Sequence, residues 1–125
     1  MMKINIVDYE CGNILSIQRA LEKIGFSCGV TNNKEKILSS DFLILPGVGA
    51  FKHAMSLLKK FDLINILEEY VLVKKKPILG ICLGMQILFS KSYEMGEHNG
   101  LNFVSGEVIE IKKKTKMSKL KIPHI

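Results

Sequence analysis

Two glycines on either side of one cysteine constrain this chain more than any other feature. The apolar residues 77–81 predict a buried strand and residues 83–90 predict a helix, and the stretch that joins them reads Gly80-Ile81-Cys82-Leu83-Gly84. Glycines two residues before and two residues after a nucleophile are typical of a nucleophile elbow, a tight strand-to-helix turn with no room for a Cβ at the glycines. Cys82 is therefore the candidate catalytic nucleophile. We expect unpaired N–H groups of the helix start to face its thiol and to stabilise a thiolate or an oxyanion.

Apolar segments with strand-like and helix-like patterns alternate along the chain. Predicted strands cover residues 3–8, 26–30, 42–45 and 77–81, and predicted helices cover residues 14–24, 34–38, 52–73 with a break near Asp62, and 83–90. Because the strands lack polar alternation, they favour a parallel sheet covered on both faces. With right-handed crossovers, the expected fold is α/β, a flavodoxin-like, doubly wound and mostly parallel sheet.

The functional site of such a sheet lies beyond the carboxyl ends of its strands. Asp8, Pro46 and Cys82 all follow predicted strand ends, so we expect them on the same side of the fold. After Ser90 the pattern changes to a polar, glycine-containing stretch and then to a further predicted strand over residues 106–111.

Length and composition limit the number of domains and exclude several classes of protein. A chain of 125 residues predicts one domain, residues 1–125, and a hydrophobic content of 47% excludes disorder. The sequence has neither a signal-peptide pattern nor an apolar run near the roughly 18 residues that a membrane span needs, so we expect a soluble, cytoplasmic protein without a membrane anchor. Three widely spaced cysteines predict neither a disulfide framework nor a metal site.

The net charge of +6 comes from one segment. Six lysines lie in residues 112–121 without an acid, which leaves 18 − 6 = 12 basic residues against 12 acidic ones elsewhere. That segment has no aromatic side chain, and Arg19 is the chain's one arginine. A nucleic-acid surface needs basic and aromatic residues interleaved, so we expect no nucleic-acid partner.

Three motifs in order resemble those of the class I, triad-type glutamine amidotransferases. They are residues 8–13 (Asp-Tyr-Glu-Cys-Gly-Asn), residues 45–51 (Leu-Pro-Gly-Val-Gly-Ala-Phe) and residues 80–86 (Gly-Ile-Cys-Leu-Gly-Met-Gln). Within that family the resemblance is greatest to the glutaminase subunits of imidazole glycerol phosphate synthase, which act in histidine biosynthesis. It extends over the whole chain.

The resemblance implies a glutaminase that hydrolyses L-glutamine to glutamate and ammonia and that needs no cofactor. Cys82 would attack the side-chain amide and form a γ-glutamyl thioester, which water then cleaves. It implies an oxyanion hole formed by N–H groups of Val48, Gly49 and Leu83, and substrate binding by Gly47 and Gln86.

The implied partner is a cyclase subunit, a (β/α)₈ barrel that forms a heterodimer with the glutaminase and uses the ammonia to make imidazole glycerol phosphate. Two alternatives remain open. A paralogous glutaminase supplies ammonia for the amidation of surface sugars, and a non-catalytic remnant would bind a partner while Cys82 is vestigial. A redox role for the thiol does not account for Met85-Gln86 or for residues 46–51.

The family's triad histidine and glutamate are not matched in this sequence. No His-x-Glu or His-x-Asp pair occurs in the 125 residues, and His124 matches a histidine outside the triad. We therefore expect a C-terminally truncated form that hydrolyses glutamine poorly or not at all on its own, and an incomplete sheet with exposed apolar surface and self-association. His53 and His98 are expected to be solvated, and Cys11 and Cys28 to be core residues.

Overall fold

The main sheet has four parallel strands in the order β2-β1-β3-β4. The computed structural model describes residues 1–111, so the lysine-rich segment and His124 lie outside the described residues. The strands are β1 Ile4–Val7, β2 Gly29–Thr31, β3 Phe42–Leu45 and β4 Ile78–Gly80. This order and direction confirm the predicted α/β sheet and bring the carboxyl ends of β1, β3 and β4 side by side.

Helices connect the strands of the sheet. They are α1 Ile14–Lys23, α2 Lys34–Ser39, α3 Phe51–Lys60, α4 Ile64–Glu68, which continues as a π-helical turn over Glu69–Val73, and α5 Leu83–Gln86. Side chains of Asn13 and Asn33 cap α1 and α2 by accepting from Ser16 N and Lys36 N, which satisfies N–H groups that a helix start leaves unpaired. The predicted break near Asp62 is confirmed, since Asp62 has a φ of 55° between α3 and α4.

The two faces of the main sheet are packed unequally. The larger core fills one face and includes the fully buried Tyr9, Phe51 and Leu67. The other face has a small cluster of Ile4, Ile6 and Ile44, against which α1 packs without burying any of its residues completely. An apolar cavity of about 390 Å³ remains beside α1, and its lining includes Ile24, which is 68% exposed, and Leu79, which is 47% exposed. The expected exposed apolar surface is therefore present.

A second, smaller sheet follows the elbow, in the order β6-β5-β7. Its strands are β5 Phe89–Ser92, β6 His98–Asn99 and β7 Val104–Val108. The predicted helix over residues 83–90 is wrong beyond Gln86, because the apolar run after Gln86 leads into β5. Over the part of the chain that the structure describes, no helix combines the length and the apolarity needed to cross a membrane.

Candidate active site

Cys82 occupies the turn between β4 and α5. Its φ of 54° and ψ of −120° lie where residues with a Cβ are rarely found, and its side chain is exposed. Such a conformation costs about 1–3 kcal/mol and persists where the surroundings impose it. The geometry is that of a nucleophile elbow, with an accessible thiol at its tip.

The two flanking glycines make this turn possible. A Cβ on Gly80 would lie 2.5 Å from the Cα of Met85, and a Cβ on Gly84 would lie 1.9 Å from the carbonyl oxygen of Leu45. Both distances are far below van der Waals contact. The sequence-based prediction that no Cβ fits at either glycine is confirmed.

The loop after β3 lies directly against the elbow. A Cβ on Gly47 would lie 2.7 Å from the backbone nitrogen of Gly84, so the two backbones touch. Pro46 and Gly47 are buried, whereas Val48 and Gly49 are exposed and Gly49 has a φ of 98°. The predicted oxyanion loop therefore lies beside Cys82, the predicted nucleophile.

The N–H groups at the start of α5 all have acceptors. Leu83 N–H donates to the carbonyl of Gly47 at 3.2 Å, and Gly84 N–H donates to Ile81 at 2.9 Å. Met85 N–H donates to the carbonyl of Cys82 at 3.0 Å. The expectation of unpaired N–H groups facing the thiol is wrong for this conformation. The loop carbonyl of Gly47 engages Leu83 N–H, and carbonyls of the elbow itself engage the next two N–H groups. The oxyanion roles of Leu83, Val48 and Gly49 stay predictions.

Two side chains of the turn between β1 and α1 hold the same loop. The buried Tyr9 hydroxyl donates to the carbonyl of Pro46, and Cys11 Sγ lies 3.3 Å from the carbonyl oxygen of Val48. Burial, and to a lesser extent the neighbouring Cys11, raises the pKa of Tyr9 well above its ordinary value, so the phenol stays protonated as a donor. Cys11 is buried as expected. Its contact with the loop was not predicted, because the two residues are 37 positions apart in the sequence.

Gln86 is half-buried and lies one helical turn beyond Cys82, where its N–H donates to the carbonyl of Cys82 at 3.2 Å. This is the placement that the sequence predicts. Its role in substrate binding stays a prediction.

An acid at the far end of the loop was missed by the sequence analysis. Glu94 Oε1 accepts from the N–H of Phe51 at 3.4 Å, and its own N–H donates to the hydroxyl of the buried Ser92 at 3.1 Å. Glu94 borders a cavity of about 330 Å³ together with Ala50, Lys52, His53, Ser56, Met95 and His98. The surrounding segment is polar and irregular, so no pattern in the sequence singles out this carboxylate.

The described histidines belong to that cavity rather than to the elbow turn. His53 is exposed on α3, and His98 Nε2 lies 3.0 Å from the carbonyl oxygen of Met95. Within residues 1–111 no group of three or more His, Cys, Asp or Glu side chains is arranged to hold a metal ion.

Known proteins are similar to this chain in sequence and in fold. The family model described as "Glutamine amidotransferase class-I" matches residues 5–124. Imidazole glycerol phosphate synthase subunit HisH of Carboxydothermus hydrogenoformans is 48% identical over 120 residues, 96% of this chain and 57% of that protein. The subunit of the same name from Lactococcus lactis is 49% identical over 125 residues, 100% of this chain and 59% of that protein.

A crystal structure of a glutamine amidotransferase superposes with a TM-score of 0.72 at 17% identity, and it covers 90% of this chain and 59% of the other. This likeness shows the shared fold. The chain thus spans just under three fifths of the length of the curated relatives it matches, 57% and 59% for the two named above. On the match over residues 5–124, the chain belongs to the class I glutamine amidotransferase family.

Proposed function

We propose that Cys82 is the nucleophile of a glutaminase that converts L-glutamine to glutamate and ammonia. The observation that carries this proposal is the exposed thiol held at a φ of 54° beside the Pro46–Gly49 loop. Its sulfur attacks the side-chain carbonyl carbon and forms a γ-glutamyl thioester as ammonia leaves. Water then cleaves the thioester to glutamate and restores the thiol.

The oxyanion hole forms when one peptide of the loop turns over. Leu83 N–H is engaged by the carbonyl of Gly47 at 3.2 Å and cannot also bind an oxyanion. In a trans peptide the carbonyl and the next N–H point in opposite directions. Rotating the peptide between Gly47 and Val48 therefore turns the Gly47 carbonyl away from the elbow and releases Leu83 N–H. The same rotation brings Val48 N–H to the place of that carbonyl, so the N–H groups of Leu83 and Val48 both become available to an oxyanion. One such donor contributes about 3–4 kcal/mol to the transition state.

We further propose that this domain works in the cytoplasm with a cyclase subunit, a (β/α)₈ barrel that receives its ammonia. The support is the name that the two relatives share, subunits of imidazole glycerol phosphate synthase. A polypeptide of these 125 residues alone has no His-x-Glu pair, and a thioester without its acid–base partner turns over slowly. We therefore propose that residues 1–125 by themselves are close to inactive.

An assay of glutamate release from L-glutamine tests both the proposed glutaminase activity and the proposed inactivity of residues 1–125 alone. We expect the 125-residue polypeptide to release glutamate far more slowly than the order of 10 per second that is typical of enzymes, with or without a cyclase subunit. Turnover at that typical rate would overturn the proposed inactivity. A polypeptide that neither turns over glutamine nor reacts with a glutamine analogue at Cys82 would instead support the alternative of a partner-binding remnant.

Glutamine binding is expected to depend on Glu94. The substrate carries an α-ammonium group, and Glu94 offers a carboxylate at the end of the loop. The Glu94→Gln substitution keeps the acceptor for Phe51 N–H but removes the charge. We expect the half-saturating concentration of a reactive glutamine analogue to rise about tenfold, or about 1.4 kcal/mol, with the maximal labelling rate little changed.

The matched control for Glu94 is the Glu97→Gln substitution. Glu97 is an exposed acid of the same segment, and its carboxylate lies 2.8 Å from Lys91 Nζ. An exposed pair of this kind contributes little, so this variant should bind the analogue like the unsubstituted chain. Equal effects of the two substitutions would contradict a specific role for Glu94.

We propose that a second copy of the chain covers the apolar surface beside α1. Within residues 1–111 no strand pairs with the outer edge of β4, and an open edge is a template for another strand. The Leu79→Glu substitution places a charge on this edge and is expected to lower the apparent mass measured by light scattering at high concentration. Leu15→Glu is the control, because Leu15 is 54% exposed on α1 but does not line the cavity. A monomer at every concentration would contradict this proposal.

A further inference from the structure

Three consecutive carbonyl groups of the loop have three different donors. The carbonyl of Pro46 accepts from the Tyr9 hydroxyl, that of Gly47 from Leu83 N–H at 3.2 Å, and that of Val48 from Cys11 Sγ at 3.3 Å. The outer two donors are side chains of the turn after β1. The middle donor is the elbow N–H that the proposed oxyanion hole requires.

The turn after β1 is shaped to present these two side chains to the loop. Tyr9 is 0% exposed and Cys11 is 6% exposed, so both point inward although they lie in a connection between elements. Glu10 between them has a φ of 62°, and Gly12 has a φ of 106°. A Cβ on Gly12 would lie 2.6 Å from the Cβ of Pro46, so the turn rests directly on the loop.

We propose that Tyr9 and Cys11 are positioning residues that hold the peptides on either side of the Gly47–Val48 peptide. Each bond fixes one peptide plane, because the carbonyl and the following N–H of a trans peptide are rigidly linked. The two outer planes are then held by side chains that do not move with the elbow. The middle peptide is held instead by the bond from Leu83 N–H to the carbonyl of Gly47, so it can rotate when the elbow releases that bond. Gly47 at its start has no Cβ to hinder the rotation.

This inference rests on the proposed function and adds a role for Cys11 in the approach to the transition state. Without the Cys11 contact, the peptide between Val48 and Gly49 is free to turn as well. The loop then samples arrangements in which the hole is misaligned, and misalignment of catalytic groups lowers the rate of the covalent step more than it lowers ground-state binding.

The test uses a glutamine analogue that carries a diazoketone in place of the amide. The thiol proton of Cys82 passes to the diazo carbon, the resulting thiolate displaces dinitrogen from that carbon, and a C–S bond forms. Intact-mass spectrometry at several analogue concentrations gives a maximal labelling rate and a half-saturating concentration.

We expect the Cys11→Ala substitution to lower the maximal rate about tenfold and to leave the half-saturating concentration nearly unchanged. Cys11→Ser keeps a donor of similar size and is expected to restore the rate to within about twofold, since a hydroxyl donates at least as well as a thiol. Tyr9→Phe removes the bond to the carbonyl of Pro46, and we expect the same roughly tenfold loss of maximal rate. The proposal can therefore be tested even if one of the two variants does not fold. Cys28→Ala is the matched control, because Cys28 immediately precedes β2 and packs against the small apolar cluster on the opposite face of the sheet from the loop.

The outcomes separate the two proposals. Unchanged labelling rates in Cys11→Ala and Tyr9→Phe, with Cys82 labelled in all variants, would overturn the positioning role alone. A slow Cys11→Ser variant that matches Cys11→Ala would also overturn it, because loss of packing rather than of a donor would then explain the effect. If Cys82 of the unsubstituted chain does not react, the proposed function fails and this inference fails with it.

Discussion

Replacing Gly84 with alanine is expected to cost more than about 3 kcal/mol of folding free energy. Alanine normally stabilises a helix by about 1 kcal/mol relative to glycine, so the sign here is the reverse of the usual effect. The added methyl group would lie 1.9 Å from the carbonyl oxygen of Leu45. That carbonyl cannot easily give way, because it accepts from Ile81 N–H at 3.0 Å within the connection that forms the elbow. Overpacking against fixed backbone is among the most destabilising of single changes.

Urea unfolding followed by circular dichroism measures this effect, and Gly25→Ala is the matched control. Gly25 follows α1 with a φ of 92°, and a Cβ on it would meet none of the described residues within 4 Å apart from its chain neighbours. Alanine there meets only the left-handed backbone penalty of about 1–2 kcal/mol. If Gly84→Ala were as stable as the unsubstituted chain, β3 and the elbow would not pack as described.

Replacing Cys82 with glycine is expected to abolish labelling by the diazoketone analogue and at the same time to stabilise the fold. Removing the sulfur removes the proposed nucleophile, so the expected labelling at this position is zero. Removing the Cβ relieves a conformation with a φ of 54° and a ψ of −120°, which predicts a gain of about 1 kcal/mol or more. A loss of reactivity together with a gain in stability is typical of strained active sites.

The Cys82→Ala variant separates the two effects. It removes the sulfur but keeps the Cβ, so labelling is lost while the strain stays, and we expect the free energy of unfolding to change little. Peptide mapping of the labelled parent identifies the modified cysteine, because Cys11 is buried and Cys28 is only partly accessible. Labelling that persists in either variant would contradict the assignment of Cys82.

The sequence predicted those parts of the site that depend on local geometry. Gly80 and Gly84 at fixed distances from Cys82 specify a turn without a Cβ, and the structure has that turn. The α/β class and the parallel direction of the main sheet also followed from the alternation of strands and helices, because crossover handedness leaves few arrangements.

Contacts between distant segments could not be predicted in the same way. The apolar residues after Gln86 are compatible with either a helix or a strand. In the structure β5 begins at Phe89, where pairing with Val104 of β7 replaces the predicted end of the helix. The bonds from Tyr9 and Cys11 to the loop join residues 37 positions apart, and no local pattern marks them. The hydrogen bond between Leu83 and Gly47 depends on the rotation of one peptide, which side-chain patterns do not specify.

The order of the main sheet also sets when the elbow can form during synthesis. β1 is made first but lies between β2 and β3, so it has no ladder until its neighbours have left the ribosome. Ile6 pairs first with Val30, 30 − 6 = 24 residues later, and then with Ile44, 44 − 6 = 38 residues later. Ile44 in turn waits for Leu79, 79 − 44 = 35 residues later. Since Gly84 rests on the carbonyl of Leu45, the thiol reaches its strained conformation only after β3 is in place. In the nascent chain Cys82 is therefore an ordinary cysteine, and its strained elbow geometry arises only after β1, β3 and β4 have paired.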